Sequence, residues 1–188
     1  MGRWEPNARG RLEQAALDLY VERGFEQTTT AEIARRAGLT ERTFFRHFAD
    51  KREVLFGGHS ALREFIVSAV ASSPDSATPI DSVIGALETV GALFLVRREY
   101  SRQRQAVIDA NDELRERELI KLASLASTIA DVLRGRGVGD LPASLAAEAG
   151  IAVFKVAFER WISDAGDADL SRLIRESFEE LKAVTAGG

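Results

Sequence analysis

The chain has no cysteine, two histidines and four prolines in 188 residues. Without thiols there is no disulfide frame, no thiolate nucleophile and no cysteine-based metal site. The two imidazoles, His47 and His59, assemble into no Ser-His-Asp arrangement and no metal-ligand cluster. An enzyme is therefore not expected, nor is a bound cofactor. Asn-Gly and Asp-Gly hairpin signals are missing, and no run alternates in strand fashion. The one glycine-dense run, Gly135-Arg136-Gly137-Val138-Gly139, has no strand before it and no Gly-Lys-Ser after it, so it reads as a turn and not a phosphate loop. No uncharged run reaches about 18 residues, and the polar stretch Met1 to Gly10 lacks an apolar core, which together make the cytoplasm the expected location.

What is present is helical and unevenly charged. Hydrophobic residues make up 45% of the chain, enough for a real core. The net charge of −4 alone argues against a nucleic-acid partner, but the split does not. Residues 1 to 56 carry ten basic and nine acidic groups, whereas residues 57 to 188 carry fifteen and twenty. An acidic body discourages nonspecific collapse onto DNA while a local basic face is retained.

That face belongs to Thr29–Phe56, TTAEIARRAGLTERTFFRHFADKREVLF. Ala31, Ile33, Ala34 and Ala37 supply an apolar side before Gly38, and Leu39, Phe44 and Phe48 supply one after it. The first turn of a helix has free N–H groups that a side-chain oxygen must satisfy. Thr29 with Glu32 forms a capping box, Thr40 caps a second helix, and Asp50 with Glu53 opens a third. Gly38 tolerates the left-handed backbone of a sharp interhelical turn. The pattern is a helix-turn-helix. At about 100° per residue, burying Phe44 and Phe48 turns Arg42 and Arg46 outward, flanked by Thr43, Phe45 and His47. Between Arg35 and Arg52, six basic residues against Glu41 and Asp50 leave +4. Arg forks onto guanine, Thr meets a thymine methyl or a phosphate, and Lys51 near a helix start suits a phosphate. An ordinary solvated face, with Phe45 filling a half-buried flank and His47 on the surface, is the plainer alternative.

The run Gly24-Phe25, Thr28-Thr29, Glu32-Ile33-Ala34, Ala37-Gly38-Leu39-Thr40, Thr43-Phe44-Phe45-Arg46-His47-Phe48 and Lys51 resembles the TetR family of transcriptional regulators. The resemblance covers about the first 56 residues. It implies an all-α homodimer in which a three-helix N-terminal head (1–56) binds a double-stranded operator and a C-terminal helical bundle (57–188) binds an effector and dimerises. It also implies DNA contacts from Thr29, Thr40, Arg42, Thr43, Phe45, His47 and Lys51, beside the Arg46 that the helix face itself selects. The family commonly has Tyr where this chain has Phe45, which cannot donate to a phosphate, so stacking or methyl contact is what remains.

Elsewhere, residues 1 to 7 with Arg3, Trp4 and Pro6 read as a loose arm, and Ala8 to Arg23 as a first helix stopped by Gly24. The helix opened by Asp50 is expected to run to about Ala71, interrupted by Gly57-Gly58, which is either a hinge or a close packing point. Ser72 to Pro79 is a linker, Ile80 to Arg98 an apolar helix, and Ser101 to Arg136 a charged helical stretch broken near Asn111-Asp112. In it Arg102, Arg104, Arg115, Glu116, Arg117 and Glu118 read as a solvated, ion-paired surface. Phe65, Phe94, Phe154 and Phe158 form a greasy pocket or an ordinary core. Glu88 is an effector anchor, a rim residue or a paired acid, and His59 a ligand contact or a bystander. A small hydrophobic or amphipathic effector would suit such a pocket, although the body could equally recruit a protein partner. The last two helices, within 143–184, pair with their copies or close the monomer's own core.

Overall fold

A computed structural model of the chain describes residues 7–94, 97–164 and 169–186. The arm with Arg3, Trp4 and Pro6 lies outside the described residues, as does Val96. Among the described residues every regular element is helical: α1 Ala8–Arg23, α2 Thr30–Arg36, α3 Glu41–His47, a 3-10 turn at Glu53–Phe56, α4 His59–Ala71, α5 Pro79–Leu93, α6 Arg98–Asp109, α7 Asp112–Gly135, α8 Asp140–Ser163 and α9 Leu170–Thr185. They form two compact units. One holds the described part of Met1–His59 together with Gln103–Glu118, and the other holds Ser60–Arg102 with Leu119–Gly188.

The head is built from local signals. Asn7 accepts a hydrogen bond from the Gly10 amide at the start of α1, and Gly24 ends that helix at φ +92°. Leu12, Ala16, Leu17, Leu19 and Tyr20 are buried, and Phe25 meets the Tyr20 ring edge-on at 5.2 Å. The capping box of α2 is complete: the Glu32 amide reaches the Thr29 hydroxyl, and the Glu32 carboxylate accepts from the Thr29 amide. Gly38, at φ +68°, turns the chain into α3.

The third helix departs from expectation. Asp50 does cap, accepting from the amides of Arg52 (2.8 Å) and Glu53 (3.1 Å). What it opens is only the 3-10 turn, and α4 begins afresh at His59. The Glu53 carboxylate pairs with Arg117 and does not return to complete a box. The backbone at Gly57 runs close to the head: a Cβ there would fall 3.1 Å from the Phe48 ring and onto the Glu13 carboxylate, and its carbonyl accepts from Arg9. Close packing accounts for Gly57. The α6–α7 corner also differs from its expected role. Arg104 donates to the Leu55 carbonyl (2.6 Å), pairs with Glu118 (3.3 Å) and lies over the Phe56 ring. Arg104, Arg117 and Glu118 are thus internal braces of the head unit and not a solvated face.

In the second unit α5 packs against α8 and α9. Val83, Leu87, Val90, Ile129, Leu133, Ala147, Ala157, Trp161, Leu170 and Ile174 form one core with Ile66 and Val70. Thr78 caps α5 and Pro79 is its first residue, where a missing N–H costs least, so the linker ends earlier than expected. The helix stops at Leu93, short of Arg98, because the Phe94 amide turns back to the Gly91 carbonyl (3.1 Å). The break at Asn111 falls where expected. By length and composition α8 could span a bilayer, but its inner face, from Ala143 to Trp161, is part of this core.

Gly91 marks a tight crossing of α5 and α9 against backbone. A Cβ there would sit 2.8 Å from the Ser171 amide nitrogen, and backbone cannot step aside as a side-chain tip can. Gly91→Ala is expected to cost about 1–3 kcal/mol in urea unfolding. Gly85→Ala on the same helix, with open space at its Cβ, should instead be neutral or stabilising by up to about 1 kcal/mol.

Candidate nucleic-acid interface

Two threonine caps and one glycine set the rotation of α3. Thr40 Oγ1 accepts from the Thr43 amide (3.2 Å), and the two hydroxyl oxygens lie 3.0 Å apart. One hydroxyl donates to the other, so the pair keeps a proton to offer outward. Phe44 and Phe48 are buried, Arg42, Phe45 and Arg46 are exposed, and Thr43 and His47 flank them half-buried. Among the described residues Arg42 and Arg46 make no hydrogen bond or ion pair. The Nε2 of His47 is buried with no hydrogen-bond partner among the described residues.

The other cations of the stretch are engaged within the head. Arg36 grips Glu22 with both arms, at 2.8 and 2.6 Å, and Arg52 folds onto Asp50 at 2.7 Å. Lys51 Nζ donates to the carbonyls of Phe25 (3.0 Å), Thr28 (3.3 Å) and Glu26 (3.4 Å) and sits 4.3 Å from the centre of the Phe25 ring. Three donors are all an ammonium has, and in this arrangement Lys51 turns them to the carbonyls of the α1–α2 loop. The Thr29 hydroxyl is similarly committed, donating to Glu32 at 2.8 Å. Arg35 is largely exposed and only 4.0 Å from Glu32. The +4 patch therefore narrows to Arg42 and Arg46, with Arg35 beside them.

Several carboxylates of the head are held in their charged form. The Thr29 amide and hydroxyl keep Glu32 below its ordinary value of 4.5, and the hydrogen bonds from Arg36 do the same for Glu22. Burial pushes Asp50 up, but hydrogen bonds from the Arg52 side chain and from the Glu53 and Arg52 amides outweigh it, and the net shift is below 3.8. Groups with lowered folded values stabilise the head fully above the ordinary carboxylate range and lose that contribution as pH falls through the lower folded values. Stability is therefore expected to decline from about pH 5 downward. Glu32→Gln keeps a capping side chain that does not titrate, so its unfolding midpoint should decline less steeply with acid than that of the parent.

Comparison with known proteins agrees with this geometry. The family model for bacterial regulatory proteins of the tetR family matches residues 13–56, and that for the MftR C-terminal domain matches residues 77–186, more than half of the chain. The chain belongs to the TetR family of bacterial transcriptional regulators. The HTH-type transcriptional regulator TcmR of Streptomyces glaucescens is 38% identical over 82 residues, covering 44% of this chain. That alignment spans only 36% of TcmR's length. MftR of Mycobacterium tuberculosis is 25% identical over 170 residues, 87% of this chain and 84% of MftR. The crystal structure of FadR from Bacillus subtilis, in complex with stearoyl-CoA, shares the fold at a TM-score of 0.62 with 19% identity, covering 92% of this chain and 96% of FadR. The relatives that carry this family's name are described as transcriptional regulators.

The residues expected at an effector pocket are only partly gathered by this TetR-family body. Phe94 meets Phe158 and Trp161 edge-on at 6.4 and 6.1 Å, and Phe154 stacks on Phe158 at 5.8 Å. The three phenylalanines are half-buried, whereas Trp161 is fully enclosed. Phe65 stays 37% exposed and makes no ring contact with them among the described residues. His59 falls in the head's unit, not with the aromatic group. Glu88 is a paired acid: Arg175 holds both its oxygens, at 2.9 and 2.8 Å, so it is not a free anchor. A residue outside the expected set, Arg98, lies with its guanidinium 5.8 Å from the Trp161 ring and donates to the Trp161 carbonyl at 2.8 Å. Adjacent Arg97-Arg98 after an apolar helix was its only sequence signal.

Proposed function

We propose that the chain is a dimeric repressor that grips a palindromic operator with two copies of α3 and is released when a small hydrophobic or amphipathic effector binds its body. The observation that carries the DNA half is the pair of guanidiniums, Arg42 and Arg46, that have no partner among the described residues and stand on a helix whose other face is buried. Free forks on an exposed recognition helix are the donors that guanine edges and phosphates accept. Thr40, Thr43 and His47 complete the contact surface, while Thr29 and Lys51 position it. The head acts from 7–59 and the body from 60 onward, with the α6–α7 corner, 103–118, bracing the head.

Dimerisation is supported by α8. Its small residues Ala146, Val153 and Ala157 belong to the monomer's own core and Gly150 is buried beside them, yet Leu141, Leu145 and Val156 are exposed on its outer side with Ala149 and Ala152 between them. Spacings of four, four, three and four keep these five on one stripe, which a second copy would cover. The half-buried aromatic group of Phe94, Phe154 and Phe158 is the body's most suitable surface for an apolar effector. Release needs little: a tenfold loss of operator affinity corresponds to about 1.4 kcal/mol of differential binding. The function is cytoplasmic, where the operator is.

Selection of genomic DNA fragments by the purified protein, at near-physiological salt, tests this reading. A palindromic motif with half-sites one helical turn apart, about 34 Å, is expected. A folded protein that enriches no motif would overturn it.

A further inference from the structure

Phe45 is 54% exposed, whereas Phe25, Phe44, Phe48 and Phe56 in the same head are each 6% exposed or less. Its position is not loose. The ring stands edge-on to Phe44, with centroids 5.4 Å apart and planes at 84°, and Phe44 is completely enclosed. The ring is thus held from beneath while its outer side faces solvent beside Arg42 and Arg46, which make no hydrogen bond or ion pair among the described residues.

A phenyl ring neither donates nor accepts a hydrogen bond, so Phe45 can read neither a phosphate nor the polar edge of a base. The major groove displays one apolar group, the C5-methyl of thymine. We propose that Phe45 is a specificity-determining residue that packs against a thymine methyl in each operator half-site, with Arg42 and Arg46 setting the approach. This rests on the reading that α3 enters the major groove. The surrounding charge makes the assignment selective, because two arginines in the groove anchor the helix through polar contacts and leave the ring to discriminate by methyl contact alone. Thymine and cytosine then differ at this position by one methyl group as well as by their hydrogen-bond pattern.

The test uses operator duplexes obtained by selection, in which each thymine is replaced in turn by deoxyuridine, which removes only the methyl. Affinity is read by fluorescence anisotropy at fixed salt for the parent chain, for Phe45→Ala and for Phe45→Leu, each confirmed folded by urea unfolding. At one symmetry-related thymine, deoxyuridine should weaken the parent about fourfold per half-site, the equivalent of about 0.8 kcal/mol for one buried methyl. Phe45→Ala should bind more weakly and be indifferent to that replacement, the sign of direct coupling. Phe45→Leu should keep part of the discrimination. Binding that persists with no thymine sensitive to methyl loss, or with equal sensitivity in parent and Phe45→Ala, overturns the role of Phe45 and leaves groove binding standing. Failure of the parent to bind any selected duplex overturns both.

Discussion

Replacing Arg42 and Arg46 together by alanine is expected to lower operator affinity on the order of a hundredfold or more while leaving the fold intact. Each guanidinium forked onto a base edge is worth about 1–3 kcal/mol, and neither side chain makes a hydrogen bond or ion pair among the described residues whose loss would disturb the head. Arg36→Ala is the informative control. It removes one guanidinium from the same stretch, but that charge is held by Glu22 on the surface, so affinity should change by less than about twofold and the head's stability should change little. The salt dependence distinguishes the two ways Arg42 and Arg46 can act. If they hold phosphates, the double variant binds every sequence more weakly and its log-affinity slope falls by about 4, about one for each of the four guanidiniums a dimer would lose. If they read bases, the slope changes little and discrimination at two positions of each half-site is lost. Unchanged affinity in a folded double variant would mean that α3 is not the recognition element.

The parts of this site that were legible in the sequence are those whose physics is local. Thr29 with Glu32, Thr40, Gly24 and Gly38 act within four residues of themselves, and the helices they bound begin and end where those signals stand. The 3.6-residue period likewise places Phe44 and Phe48 inside and Arg42 and Arg46 outside. The parts that were not legible depend on partners far along the chain. Lys51 reads as a free ammonium, and only the fold brings the carbonyls of Phe25, Glu26 and Thr28, 23 to 26 residues earlier, around it. Glu53 completes a capping-box spacing with Asp50, but Arg117, 64 residues away, takes its carboxylate. Glu88 stands out as a lone acid on an apolar helix, and only the fold supplies Arg175, 87 residues away. Local spacing ranks residues by what they could do; long-range pairing removes from that ranking the ones already occupied. In this head the removal strengthens the functional reading, because it leaves Arg42 and Arg46 without a structural task.

Phe44→Ala is expected to cost about 3–5 kcal/mol of head stability, the range for emptying a fully enclosed aromatic site. Helix α3 has only seven residues, and Phe44 is its one fully buried side chain. A helix of two turns does not persist in water on its own propensity and depends on tertiary anchoring. Loss of Phe44 also withdraws the tilted contact to Phe48 at 5.7 Å and the edge contact that holds Phe45 upright. Phe45→Ala deletes a ring of the same size from the next position, yet should cost less than about 1 kcal/mol, since much of that ring remains in water when folded. Urea unfolding monitored by circular dichroism separates the two variants. The operator assay should invert their ranking in meaning: Phe44→Ala loses binding because α3 is no longer presented, and stabilising conditions such as lower temperature should restore part of it. Phe45→Ala should show its deficit at every temperature at which the head is folded. Equal stability losses in the two variants would show that α3 is anchored by something other than Phe44, and the assignment of its outward face would fall with it.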